Sequence, residues 1–206
     1  MHSRFGRLKQ MQHEELGTSG FCRDEGEASE LSARLRNFYN TTAEYVAFQA
    51  PSSQTLLWAH LASDMRERFS GRSNRKVRVL EAGAGRSGLA IYLQSSGLRD
   101  DIELHAQDVT AQNAAWLEEH FDAVTIGSIE EVPGEFDFVI SSYVFEHVTE
   151  PRAFLDSLWG KLAPGGVIMM TCPRYDAPFY LPPSVDHLPA HKRLALACGV
   201  AFRRVF

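Results

Sequence analysis

Apolar positions follow a helical period from Ser29 to about residue 70 and fall into short, separated runs from residue 77 on. From Ser29, the residues Leu31, Leu35, Phe38 and Tyr39 recur at helical spacing, and Ala43, Val46 and Ala47 carry the pattern unevenly to Gln49. Pro51-Ser52-Ser53 opens a second helix with Leu56, Leu57, His60, Leu61, Met65 and Phe69 along one stripe. After the polar turn FSGRSNRK, five runs read as strands: Val77 to Ala82, Ile102 to Gln107, Ala123 to Ile126, Phe136 to Ser141 and Val167 to Thr171. Helices fill the gaps at Gly88 to Ser95, Gln112 to His120, Pro151 to Lys161 and Pro189 to Cys198, and AFRRVF reads as a sixth strand. Regular β-α alternation with short strands implies an α/β fold with a doubly wound, mostly parallel sheet covered on both faces.

Residues 1–29 mix Gly, Ser, Glu and Arg without a sustained period and are expected to form a flexible lead-in. The remainder, 30–206, reads as one domain: helices over 30–70, a core over 77–173 and a C-terminal part over 174–206. At 206 residues, one substantial core is the default.

Composition narrows the classes without naming one. Apolar content of 44% and charged content of 23% are those of a water-soluble globular protein, and no apolar run reaches the length of a membrane span. The formal charge of -5 supplies no general attraction for nucleic acid, although Arg72, Arg75, Lys76 and Arg78 form a local basic group. Three scattered cysteines, Cys22, Cys172 and Cys198, suggest neither a disulfide framework nor a zinc site. The basic opening lacks the apolar centre of a secretory signal, so a cytoplasmic protein is expected.

The first strand ends in Glu81 and breaks into Gly83, Gly85 and Gly88, with Ala84 between the first two. Glycines at that point either make a tight strand-to-helix turn or let the backbone approach a ligand whose anionic end faces the helix start. Asp108 closes the second strand, where a carboxylate can accept hydrogen bonds from both hydroxyls of a ribose; a surface aspartate beginning a turn is the plainer explanation.

The chain resembles the class I S-adenosylmethionine-dependent methyltransferases, particularly their small-molecule branch that includes ubiquinone-pathway O-methyltransferases. The matching blocks are VLEAGAGRSGLA, the acid in HAQD, GSIEEVPGEFDFVISSYVFEHV and KLAPGGVIMMTCP, which together run from Val77 to Pro173. The resemblance implies a Rossmann-like sheet, S-adenosyl-L-methionine as cofactor and a small-molecule methyl acceptor bearing a hydroxyl, or less favourably an amine. It also implies that Glu81 and the loop from Gly83 through Ala84 and Gly85 to Gly88 hold the methionine end, and that Asp108 holds the ribose. Ser128 and Ile129 stand where the family commonly meets the adenine with an acid and the next backbone N–H. LAPGG is expected to end a helix and turn the chain into the fifth strand. The family's sheet has seven strands, the last antiparallel, whereas this sequence shows no seventh and so an incomplete substrate-side part.

Methyl transfer from a sulfonium is an in-line displacement, so alignment and exclusion of water are the protein's main duties. A hydroxyl acceptor must lose a proton, and His147 in YVFEHV is the candidate base; its other reading is a histidine anchoring the loop. Tyr143, Glu146 and His187 are candidate substrate contacts, although for Glu146 orienting its loop or capping the following helix is the favoured role over chemistry. His187 and His191 have helical metal spacing, but Pro189 between them breaks the register, so no metal site is expected. Phe38, Tyr39 and Tyr45 either form a lid or pack as core, and Trp58, Trp116 and Trp159 are read as packing. Two other readings keep the glycine loop: a nicotinamide-dependent oxidoreductase, and a cofactor-binding protein without catalysis.

Overall fold

The computed structural model describes residues 30–35, 37, 51–69, 75–173, 181 and 188–205. Residues 30–35 are helical, and α1 follows at Pro51–Phe69. Then come β1 (Val77–Ala82), α2 (Leu89–Ser95), β2 (Ile102–Asp108), α3 (Ala114–His120), β3 (Ala123–Ile126), β4 (Phe136–Ser142), α4 (Pro151–Trp159), β5 (Leu162–Thr171) and α5 (Ala190–Val205). Among the described residues the strands form one sheet in the order β3-β2-β1-β4-β5, with every pairing parallel. Chain order reverses between β1 and β4, and this opens a crevice at their carboxyl ends.

Alternation along the central strands sends side chains to two cores. Val77 and Val79 of β1, with Phe138 and Ile140 of β4, pack under Leu57, Trp58, Leu61 and Met65 of α1 and Leu89 and Leu93 of α2. On the other face Leu80, Ala82 and Val139 meet Ile129, Val132 and Leu158. Fully burying each such aliphatic or aromatic side chain contributes roughly 1.5–3 kcal/mol, so the two cores together hold the sheet and position its ends.

The amino ends of the strands are tied by ion pairs. Arg75 donates both Nη groups to Asp137 at 2.7 Å, and the Arg78 backbone N–H donates to the same carboxylate at 2.9 Å. Burial alone would raise the Asp137 pKa, but the Arg75 guanidinium and the Arg78 contacts outweigh it and hold the carboxyl below its ordinary value. Arg78 also donates to the Glu135 carbonyl and pairs with Glu103 at 3.3 Å. Arg75 and Arg78 of the basic group noted in the sequence are thus committed to closing the end of the sheet remote from the crevice, and Arg72 lies outside the described residues.

Four expectations are corrected. AFRRVF does not form a sixth strand: α5 continues through Val205, because a short apolar run carries no period that separates strand from helix. LAPGG does not end a helix; α4 stops at Trp159 and Leu162 already pairs with Phe136. Between Phe136↔Leu162 and Phe138↔Val167 the register shifts, and a Cβ at Gly166 would stand 2.9 Å from the carbonyl oxygens of Ala163 and Phe136. Trp159 is not packing, since 72% of it is exposed, and with Leu155 it leaves an apolar strip on α4. On α1 the buried stripe is Leu57, Trp58, Leu61, Ala62 and Met65; Leu56 and His60 face solvent. No described helix is long and apolar enough to cross a membrane.

Candidate functional site

The crevice is framed by three loops, after β1, β2 and β4, and hydrogen bonds already fix the first two together. Gly85 N–H donates to Asp108 Oδ2 at 2.7 Å, and Thr110 N–H donates to Asp108 Oδ1 at 2.9 Å. Asp108 is buried, so it is a constructed feature of the site and not a surface turn residue. Each of its oxygens retains a second lone pair that can accept a ligand hydroxyl. Gln107, which sequence reading passed over, completes the link. Its Oε1 accepts from Gly83 N–H at 3.0 Å and its Nε2 donates to the Gly127 carbonyl at 2.6 Å, joining the loops after β1 and β3.

The glycines divide into different duties. Gly83 and Gly85 have φ of +69° and +58°, in the left-handed region that favours glycine. A Cβ on Gly83 would collide with Val144 at 2.4 Å, so the space beside it is taken by the loop after β4. Gly88 lies under Trp58, whose ring would stand 3.4 Å from a Cβ there. Ala84 is buried and donates its N–H to the Gln107 carbonyl at 2.9 Å.

Among the described residues Glu81 is the carboxyl most perturbed by burial. It is 2% exposed; Oε1 accepts from Ser87 Oγ at 2.9 Å, while Oε2 is sealed and has no partner. Desolvation raises its pKa to about 8, against the smaller lowering effect of Ser87. A buried carboxyl with one unpartnered oxygen is suited to receive a cationic group delivered into the crevice. Ser87, also missed in the sequence, further accepts from Leu89 N–H at 3.0 Å and so secures the start of α2.

Tyr143, Glu146 and His147 lie together on the loop after β4. Tyr143 is the one described non-glycine residue at positive φ, +57°, which costs a few kcal/mol at most and marks a position held by its surroundings. Its N–H donates to the Thr171 carbonyl, extending the β4-β5 ladder to the rim. Glu146 is half-buried; Oε2 is sealed without a partner, and burial raises its pKa. His147 is exposed, yet desolvation of its ring lowers its pKa, which keeps it neutral at pH 7 and able to accept a proton. Its backbone N–H is bonded to the Val144 carbonyl, so the loop-anchoring reading needs only the main chain.

Ser128 and Ile129 begin a short turn after β3. The Ser128 side chain caps that turn, and Ser128 N–H in return donates to Glu131 Oε1 at 2.8 Å. The Ile129 side chain is in the second core. His187, Asp186, Phe38, Tyr39 and Tyr45 lie outside the described residues. Trp116 is half-buried and donates its indole N–H to the Ser87 carbonyl at 3.2 Å.

Comparison with known proteins gives this arrangement a context. The profile of a family described as "Methyltransferase domain" matches residues 57–198. The chain is 31% identical over 145 residues to the tRNA 5-carboxymethoxyuridine methyltransferase of Escherichia coli (strain K12), covering 66% of this chain and 51% of that protein. It is 27% identical over 100 residues to the malonyl-[acyl-carrier protein] O-methyltransferase of Enterobacter lignolyticus (strain SCF1), covering 48% and 40% respectively. The chain spans about half or less of the length of the curated relatives it matches. Among solved structures, the plantazolicin methyltransferase BpumL in complex with a pentazolic desmethylPZN analog and SAH superposes with a TM-score of 0.60. That match has 13% identity and covers 86% of this chain and 71% of the other, which is a likeness of fold.

Proposed function

The chain belongs to the methyltransferase-domain family, and from that premise we propose that it transfers the methyl group of S-adenosyl-L-methionine to an oxygen atom of a small-molecule acceptor. The observation that carries the reading is Glu81: a buried carboxyl oxygen without a partner lies at the end of β1, next to the loops after β1 and β2 that Asp108 staples. The residues present fit the cofactor. Glu81 would receive the ammonium of its methionine end, the loop from Gly83 to Gly88 would lie against that end, and Asp108 would accept the ribose hydroxyls with its free lone pairs. Ser128 and the Ile129 N–H would meet the adenine. The cofactor, when bound, supplies the electrophilic methyl; no nucleophilic side chain is needed.

The protein's own contribution is to hold the acceptor in line and keep water out. A hydroxyl acceptor requires proton removal, and His147, neutral at pH 7, is the candidate base, with Tyr143, Glu146 and His187 as acceptor contacts. The two curated relatives described above have names that specify carboxyl-bearing groups, carboxymethoxy and malonyl, which supports oxygen as the receiving atom. The charge of -5 and the commitment of Arg75 and Arg78 to ion pairs favour a small acceptor over a polyanion. Residues 30–206 are proposed as the methyltransferase unit, because Ser32 Oγ lies 2.6 Å from Thr149 Oγ1 on the loop after β4.

Incubation with methyl-labelled S-adenosylmethionine and a panel of alcohols, acids and amines tests the reading. Label in an alcohol or acid product supports it. Tight cofactor binding with no labelled product from any member would instead establish a non-catalytic binding protein.

A further inference from the structure

Buried polar atoms without partners are expensive, about 1–3 kcal/mol each, and in this molecule they are not scattered. Among the described residues they are Trp58 Nε1, Glu81 Oε2, Ser141 Oγ, Ser142 Oγ, Glu146 Oε2 and Thr171 Oγ1. Glu81, Ser141, Ser142, Glu146 and Thr171 all stand at, or just beyond, the carboxyl ends of β1, β4 and β5. Glu81 is accounted for by the proposed cofactor site; the others are not.

Register sorts the rest. Ser142 and Thr171 are Cα partners in the β4-β5 ladder. By alternation Ser142 continues the face of Phe138 and Ile140, and Thr171 continues that of Val167 and Met169, which is the face covered by α1. Trp58 of α1 belongs to that same core and lies against Gly88 at the start of α2. Trp58 Nε1, Ser142 Oγ and Thr171 Oγ1 are therefore unpartnered on one face of the sheet, the face that α1 covers. The indole N–H can only donate, and the two hydroxyls can each donate. The indole therefore needs an acceptor, each hydroxyl can donate to the same group, and a carboxylate, whose lone pairs all accept, meets all three.

We propose that Ser142, Thr171 and the Trp58 indole form an acceptor subsite for a carboxylate, so that the product is a methyl ester; this rests on the methyl-transfer reading above. A carboxylate oxygen uses a lone pair to form the bond to the methyl carbon as the carbon–sulfur bond breaks. That bond's electrons stay on sulfur, leaving a neutral thioether and a neutral ester, and no proton moves. A carboxylate acceptor therefore needs no base, and His147 would serve as one only for the hydroxyl acceptor. Charge-assisted hydrogen bonds from fixed donors hold the anion without a cationic side chain.

The test uses matched acceptors, phenoxyacetate, 2-phenoxyethanol and 2-phenoxyethylamine, which share a phenoxy group and differ at the far end. Protein saturated with S-adenosylhomocysteine is titrated with each, and each is then offered with methyl-labelled S-adenosylmethionine. The acid is expected to bind about tenfold tighter than the alcohol or the amine, with the label released as methanol by alkali. Ser142→Ala and Thr171→Val should each cut the acid's advantage about fivefold or more while leaving S-adenosylhomocysteine affinity unchanged. Equal binding of the three compounds, alkali-stable label, or an undiminished preference in both variants overturns the proposal while leaving the cofactor site intact. Failure of S-adenosylhomocysteine to bind would sink the methyl-transfer reading itself, and this subsite with it.

Discussion

Glu81 makes the cofactor-free protein sensitive to pH in a direction opposite to that of most carboxylates. Its folded-state pKa, about 8, lies above the ordinary value of 4.5, so the folded chain binds a proton that the unfolded chain has released over that interval. The favourable contribution of the neutral form is fully present below pH 4.5 and is lost as pH rises through 8. At 1.36 kcal/mol per unit, the whole interval corresponds to about 5 kcal/mol, with a slope of at most about 1.4 kcal/mol per pH unit. Glu81→Gln imitates the neutral carboxyl, keeps an oxygen for Ser87 and does not titrate. Urea unfolding of both proteins at pH 5, 6.5 and 8 should show the variant gaining on the wild type as pH rises, by several kcal/mol over the range. Parallel stability profiles would refute the reasoning, because they would mean that Glu81 titrates alike in the folded and unfolded chains. The same substitution should weaken S-adenosylhomocysteine binding, since an amide cannot pair with the ligand's ammonium.

Other positions give sharper local tests. Gly83→Ala should destabilise the loop by about 1–3 kcal/mol through its positive φ and its collision with Val144, and adding Val144→Ala should recover the steric part; thermal melts of the single and double variants measure both. Asp108→Asn replaces one of the two oxygens that receive Gly85 and Thr110 N–H, and S-adenosylhomocysteine affinity should fall tenfold or more by calorimetry. Asp137→Asn should cost about 1–3 kcal/mol at pH 7. That gap should close as pH falls below 3.8 through the depressed pKa of Asp137, because the wild-type carboxyl then protonates as well; unfolding at pH 7 and pH 3 reads the difference.

The sheet was legible because its strands carry local signals: buried runs ending in glycine or acid, separated by amphipathic helices. Val77 to Ala82 and Ala123 to Ile126 have the same limits in structure as in sequence, and Asp108 is where its position after HAQ placed it. What failed was decided by tertiary context. LAPGG looks like a helix stop followed by a turn, yet the pairing of Leu162 with Phe136 draws it into β5 through an irregular register that no local signal announces. AFRRVF suits either period, and continuity with the Ala- and Leu-rich turns before it settles on helix. Trp159 has an apolar side chain on an amphipathic helix, and only the direction of that helix over the sheet shows that it faces outward.

Within the site, residues with chemical identity were found and supporting residues were not. Glu81 and the glycines stood out by type. Gln107 and Ser87 did not, because an amide or hydroxyl gains meaning only when the loops it joins are in place. In sequence Thr171 reads as the end of a strand and Ser142 as the residue just past one; their significance lies in being cross-strand partners whose hydroxyls have no hydrogen bond, which only register and burial reveal.

The central claim is that the crevice at the carboxyl ends of β1, β2 and β4 holds S-adenosylmethionine. Calorimetric titration of the wild type and Asp108→Asn with S-adenosylhomocysteine and with NAD tests it most directly. The account predicts one-to-one binding of S-adenosylhomocysteine, weakened in the variant, and no heat of binding from NAD. Binding of NAD without binding of S-adenosylhomocysteine would contradict it.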